Sequence, residues 1–197
     1  MKKSGNIFCC LLVLFISGCS VFQQTSEVAT LTKCEFRIES ARNIKLAGIN
    51  FQEKDALSDL SITEMAKIAG AIAGGTLPLT FDLNVGVKNP NPNTAALNRL
   101  DWILIIDGIE MTRGLLNQRI EIPSNNVSTF PVSMNLDLMK FLSGKSSEAL
   151  INFALNLAGT GVRPTRIKLK AKPTILIGTK PIEYPGYITI RQEFGDD

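Results

Sequence analysis

Strict alternation of apolar and polar residues dominates the chain beyond residue 32. Cys34, Phe36 and Ile38 alternate with Glu35, Arg37 and Glu39, and Ile44 and Leu46 resume the same spacing. Phe81, Leu83, Val85 and Val87 fall on one side; Thr80, Asp82, Asn84 and Lys88 fall on the other. A period of two sends successive side chains to opposite faces, so these are half-buried strands of an antiparallel sheet. Trp102 to Ile106 is apolar throughout, which predicts a strand covered on both faces. Asp107-Gly108 then supplies a two-residue turn, and Ile109 to Leu115 returns as the second arm of a hairpin. Further strands are expected at Ile120 and Ile122, and at Phe130, Val132, Met134 and Leu136, where Pro131 marks an edge or a bulge. Ile167 with Leu169, Ile175 with Ile177, and Ile188 with Ile190 complete the set. About seven to nine short strands separated by turn signals predict a mainly β fold, an antiparallel β-sandwich.

Two stretches break the alternation and predict inserted apolar helices, at about 59–75 and 146–158. In the first, Ser61 and Glu64 form a capping box, and Gly74-Gly75 followed by Pro78 is a stop. Its apolar stripe is Ile62, Met65, Ile68, Ala69 and Ile72, and Gly70 and Gly74 leave room for a neighbouring backbone. In the second, a serine caps the start, Gly159 ends it, and only Asn152 and Asn156 are polar along its body. A helix apolar nearly all round is buried on most sides. Core packing is the plain reading of both. The sharper one is an apolar pocket lined by Ile68, Ile72, Leu150, Phe153, Ala154 and Leu157, of a size to hold an acyl chain.

Between two strands lies Asn89-Pro90-Asn91-Pro92-Asn93. Neither proline can donate a ladder hydrogen bond, and each turns its predecessor away from α. The asparagines can fold their side chains onto nearby backbone. The strand therefore ends near Lys88, a crossover follows, and the next strand begins near Asn98.

The first residues carry an address. Lys2 and Lys3 precede an apolar run from Ile7 to Ile16. Such a run is too short to span a bilayer, which needs ~20 residues, and fits a secretory signal. It closes with Ile16-Ser17-Gly18-Cys19, which resembles a bacterial lipobox. The expected organisation is a lipoprotein signal peptide at 1–18, a lipidated Cys19 with a tether at 19–31, and one domain at 32–194. An ordinary cleavable signal with a chance cysteine is the alternative. Ser20 rather than aspartate follows Cys19, which in a Gram-negative host directs the chain to the outer membrane, held through the lipid. Cys9 and Cys10 leave with the signal, and Cys34, a lone thiol at the start of a strand, is expected in the core.

Composition adds exclusions. The 197 residues are 45% hydrophobic, enough for one real core. The net charge of +3 shrinks once Lys2 and Lys3 are removed, because 19 bases then face 18 acids, so charge alone names no partner. The chain has no histidine, the commonest general base and neutral metal ligand. Ser143-Gly144-Lys145-Ser146 is like the end of a phosphate loop, but Met139 stands where the pattern needs glycine. Gly159-Thr160-Gly161 reads as a helix stop, and the acids show no metal-loop spacing. No catalytic residue, metal or cofactor is assigned. One charge pattern stands out: Arg166, Lys168, Lys170 and Lys172 alternate with Ile167, Leu169 and Ala171 and form a cationic row on one strand face. It reads either as an edge strand guarded by lysines, or one paired with acids across the sheet, or as a contact for lipid phosphates or another anionic envelope polymer. No aromatics interleave it for base stacking, so no nucleic-acid partner is assigned.

The run Val85-x-Val87-x-Asn89-Pro90-Asn91, with Ala96, Leu100, Trp102, Leu104, Ile106, Gly108 and Gly114, resembles the type 2 late embryogenesis abundant family, also called the WHy domain. The resemblance is best from Leu77 to Pro123 and weaker out to Ile177. It implies an immunoglobulin- or fibronectin-III-like sandwich, no catalytic residues, and a link to stress and desiccation; bacterial relatives are often exported lipoproteins. The expectation is a non-enzymatic envelope lipoprotein with a binding or structural, stress-protective role and an envelope protein or lipid as partner. The runner-up is a carrier or sensor of a hydrophobic ligand.

Overall fold

The computed structural model describes residues 30–106, 108–141, 147–158, 165–177 and 179–194. The expected signal peptide, Cys19, Asp107 of the hairpin turn, the Gly144-Lys145 segment and Gly159 with Gly161 lie outside the described residues.

The first sheet has four antiparallel strands in the order β2-β1-β3-β8: β1 Glu35–Leu46, β2 Ile49–Asn50, β3 Pro78–Asn89 and β8 Asn126–Asp137. The second has β5 Arg99–Ile106, β6 Ile109–Leu116, β9 Thr165–Ile177, β10 Lys180–Glu183 and β11 Ile188–Phe194. Its order is β10-β9-β5-β6, and β11 shares with β10 the far edge of β9. A small ladder joins β4 Ala95–Leu97 to β7 Ile120–Ile122. The helices are α1 Ile62–Ala73, the short α2 Leu138–Phe141, and α3 Ser147–Ala158.

The fold is mainly β, antiparallel and sandwich-like. Inward side chains of both sheets, such as Phe81, Leu83, Trp102, Leu104 and Leu169, join Ile151, Ala154, Leu155 and Leu157 of α3 in one continuous apolar core. Each such burial contributes roughly 1.5–3 kcal/mol, so this shared core is the main stabiliser.

Several expectations change in detail. In β1 the buried residues Ile38, Ala41 and Ile44 lie three apart, because register shifts at Ile38/Ser40 and Arg42/Lys45 insert extra residues. Asn43 takes φ 55° in the second, a left-handed geometry that asparagine tolerates. Trp102 to Ile106 is not covered on both faces: Leu100, Trp102, Leu104 and Ile106 are buried, but Ile103 and Ile105 are only partly so. Residues 167–169 and 175–177 belong to one long strand, not two. It runs through Pro173, whose carbonyl accepts from the Tyr184 amide at the gap where β11 gives way to β10. Pro131 does sit on an edge strand, β8.

The expected stripe of α1 is not buried. The capping box forms, with Ser61 Oγ accepting from the Glu64 amide (3.2 Å) and Glu64 Oε2 from the Ser61 amide (2.8 Å). Gly75 at φ 77° ends the helix. Yet only Ile68 of α1 is buried, while Met65 is 38% and Ile62 90% exposed. Gly70, rather than admitting a backbone, has nothing near its missing Cβ. The stripe reads as core in the sequence because hydropathy cannot tell a covered apolar face from an uncovered one.

The sandwich thus has two poles. At one, β3 ends in the Asn-Pro run and the chain enters from Thr30. At the other, α1 leads into β3 and α3 leads from β8 into β9.

Candidate functional site

Three clusters carry the residues that the sequence singles out. The first is the Asn-Pro crossover. Asn89 is fully buried, and every polar atom of its side chain is used. Its Nδ2 donates to the carbonyls of Asn93 (2.8 Å), Ile122 (3.0 Å) and Pro123 (3.2 Å). Its Oδ1 accepts from the Asn91 amide (3.0 Å) and from Asn91 Nδ2 (2.9 Å). Asn91 Nδ2 also donates to the Thr30 carbonyl (3.3 Å). One buried amide thereby ties the end of β3 to the end of β7, and its neighbour ties both to the point where the described chain begins. The prolines add no donors to satisfy and hold the loop extended around this knot. A buried amide costs stability unless its bonds are made, and here they are. The knot is structural and offers no reactive group.

Two glycines serve close approaches of the same kind. A Cβ on Gly114 would lie 2.2 Å from Cζ2 of Trp102, so glycine on β6 is what lets the buried indole lie flat across the strand. A Cβ on Gly86 would meet Glu39 Oε1 at 2.3 Å. That space lets Glu39, at the first bulge of β1, reach over β3 and accept from Thr129 Oγ1 on β8 at 2.9 Å. Glu39 also accepts from Arg37 Nη2 (2.8 Å), and these bonds, with that of Arg37 foremost, hold its carboxyl below the usual range.

The second cluster is the cationic row of Arg166, Lys168, Lys170 and Lys172. The edge-strand reading fails. β9 is an interior strand, with β5 on one side and β10 and β11 on the other. The row lies on the outward face, since Ile167, Leu169 and Ala171 point into the core. Pairing with acids accounts for its two ends. Lys172 pairs with Glu183, which raises the lysine's pKa, and Arg166 Nε lies 3.8 Å from Glu193. Elsewhere on this face Arg99 pairs with Asp101 (2.7 Å), holding that carboxyl low, and Arg113 pairs with Glu110. The sequence reading missed Arg191 of β11, which stands directly opposite Lys168. Its own strand alternates, but nothing local says which strand it pairs with.

The third cluster is the expected apolar pocket. Ile68, Ala154 and Leu157 are buried in the common core, and Ile72 and Phe153 pack against it. The Leu150 side chain lies outside the described residues. Leu157 also borders an open cleft with Ala158, Phe194 and the bulged stretch of β1.

Cys34 is half-buried rather than in the core, and its Sγ contacts the Thr30 carbonyl at 3.5 Å. Burial pushes its thiol up to about 11, which leaves little thiolate at neutral pH. Among the described residues no three His, Cys, Asp or Glu side chains group as a metal site would require, and no helix is long and apolar enough to cross a membrane.

Frame and knot together define a mainly β domain of two antiparallel sheets whose distinctive residues serve architecture and surface. A family model of the late embryogenesis abundant proteins, LEA_2, matches residues 84–184, just over half of the chain. The chain belongs to this family. Among solved structures it is similar to a protein from Archaeoglobus fulgidus, at 18% identity over 61% of this chain and 86% of that one, with a TM-score of 0.36. It is also similar to a protein of Arabidopsis thaliana solved in solution, at 13% identity over 59% and 69%, with a TM-score of 0.40. None of the curated proteins matches the chain.

Proposed function

We propose that this chain is a lipid-anchored, non-enzymatic lipoprotein of the bacterial envelope. It is held to the outer membrane through Cys19 and serves a structural or stress-protective role with its LEA-type domain. The observation that carries this reading is the pairing of Ile16-Ser17-Gly18-Cys19 with a family domain that spans 84–184. We read the two sheets as an immunoglobulin- or fibronectin-III-like frame, because strands from both fill one core. The family's link to stress supports protection over catalysis, and the absence of histidine from the chain removes the usual general base. The twelve residues from Cys19 to Thr30 set an upper limit of ~40 Å on the distance between the lipid and the domain.

The test is metabolic labelling of producing cells with a fatty acid. The parent chain should take up label and fractionate with outer membranes, whereas a Cys19→Ala variant should do neither. Equal labelling of the two would remove the anchor. Loss of survival under osmotic or drying stress in cells that lack the chain, restored by the parent and not by Cys19→Ala, would support the protective role.

A further inference from the structure

The outward face of the five-stranded sheet is unevenly neutralised. Four cations at its margins each have an acid: Arg99 with Asp101, Arg113 with Glu110, Lys172 with Glu183, and Arg166 with Glu193. The middle is different. Lys168 and Lys170 of β9 and Arg191 of β11 have no ion-pair or hydrogen-bond partner among the described residues. Lys168 and Arg191 are direct cross-strand neighbours, a like-charge pairing that is unfavourable on its own. On the opposite side the two lysines flank Ile105 and Ile103 of β5, which are only partly covered. On the same face, toward the pole where the chain enters, Leu115 is 48% and Leu176 36% exposed. Three uncompensated cations next to partly covered isoleucines, on a face that exposes Leu115 and Leu176 toward one end, match one kind of surface, a bilayer whose headgroups are anionic and whose interface admits apolar groups.

We propose that this face docks on an anionic phospholipid bilayer, with Lys168, Lys170 and Arg191 on the phosphates and Leu115 and Leu176 entering the interface. The docking reading narrows the cationic row: Arg166 and Lys172 are internally paired, and Arg191 takes their place. The geometry does not need the lipid on Cys19. If the anchor exists, its span is long enough for the sheet to lie flat on the same membrane, and to that extent the inference rests on the envelope location proposed above.

Lysine footprinting tests it without altering the protein. The full chain is placed in nanodiscs of phosphatidylcholine alone, or of phosphatidylcholine with phosphatidylglycerol, and labelled with an amine-reactive ester. Lys45, exposed on the other sheet, is the internal control. The docked face should label about tenfold more slowly at Lys168 and Lys170 in the anionic discs, with Lys45 unchanged. An Arg191→Gln variant should lose part of that protection, by about fivefold, without a shift in melting temperature. Equal labelling in both discs would overturn the proposal. So would equal protection by inorganic phosphate in neutral discs, which would mark a site for free anions. Incorporation of the chain into the discs is scored separately, so failure to dock is distinguishable from failure to anchor.

Discussion

The two poles of the sandwich break the rule of apolar inside and polar outside in opposite ways. At the crossover pole a polar side chain, Asn89, is wholly buried with its bonds complete. At the helix pole an apolar helix is largely uncovered, with Ile68 its single buried residue. The first exception is held in place by geometry: one side-chain amide bonds three carbonyls and one backbone N–H. The second is held by nothing on its outer side among the described residues. The contrast separates a residue that builds the frame from residues that the frame presents.

Substitution at Asn89 should break the comparison most severely. Asn89→Leu removes the hub, leaves the buried Ile122 carbonyl unpaired at about 1–3 kcal/mol and frees the part-buried Asn93 and Pro123 carbonyls and the Asn91 amide, so a loss of about 4 kcal/mol is expected in urea unfolding. A variant as stable as the parent would show that the knot only accompanies the fold. At the other pole, Ile68→Ala should cost about 3 kcal/mol, because it hollows the core beneath the one fully buried side chain of α1. Gly114→Ala comes next, at roughly 2 kcal/mol, since the buried Trp102 ring cannot move aside. Gly86→Ala should cost less, because the Glu39 carboxylate that it meets is the far end of a flexible side chain, which can shift at the expense of its bonds to Arg37 and Thr129. Ile62→Ala should change stability by less than about 0.5 kcal/mol in the same assay.

Cys34, near the crossover pole, gives a pH test. Its folded pKa of about 11 stands above the ordinary 9.0, so the folded state holds the proton more tightly. That contribution is fully present below pH 9 and is lost as pH rises toward 11. Alkylation of the native chain should accordingly be slow at pH 8 and climb steadily to pH 11, whereas the unfolded chain should react near its plateau by pH 10. Fast alkylation of the native chain at pH 8 would place the thiol in an open, polar setting.

Much of the frame was legible in the sequence because alternation is a local signal. Phe81, Leu83, Val85 and Val87 point inward as their spacing requires, and the capping box and glycine stop of α1 fall where Ser61, Glu64 and Gly75 put them. What escaped depends on partners far away in the chain. Strand β9 carries lysines like a guarded edge, and only its pairing with β5, β10 and β11 makes it interior. Arg191 gains its meaning from register with Lys168, which no window of sequence contains. The bulges of β1 were hidden because Glu39-Ser40-Ala41-Arg42-Asn43 reads as a lapse in alternation rather than as two inserted residues. Asn89 could be recognised as important, but its three carbonyl partners lie as far off as Pro123.

Native-state hydrogen exchange tests most directly whether one pole is frame and the other presented surface. The Asn91 amide, bonded to Asn89 Oδ1, should exchange only through global unfolding, with a denaturant dependence equal to that of β3. The Met65 and Gly74 amides of α1, bonded to the Ser61 and Gly70 carbonyls, should exchange through a smaller local opening that barely responds to denaturant. Exchange of α1 as slow as that of β3, or of Asn91 as fast as that of α1, would contradict the account.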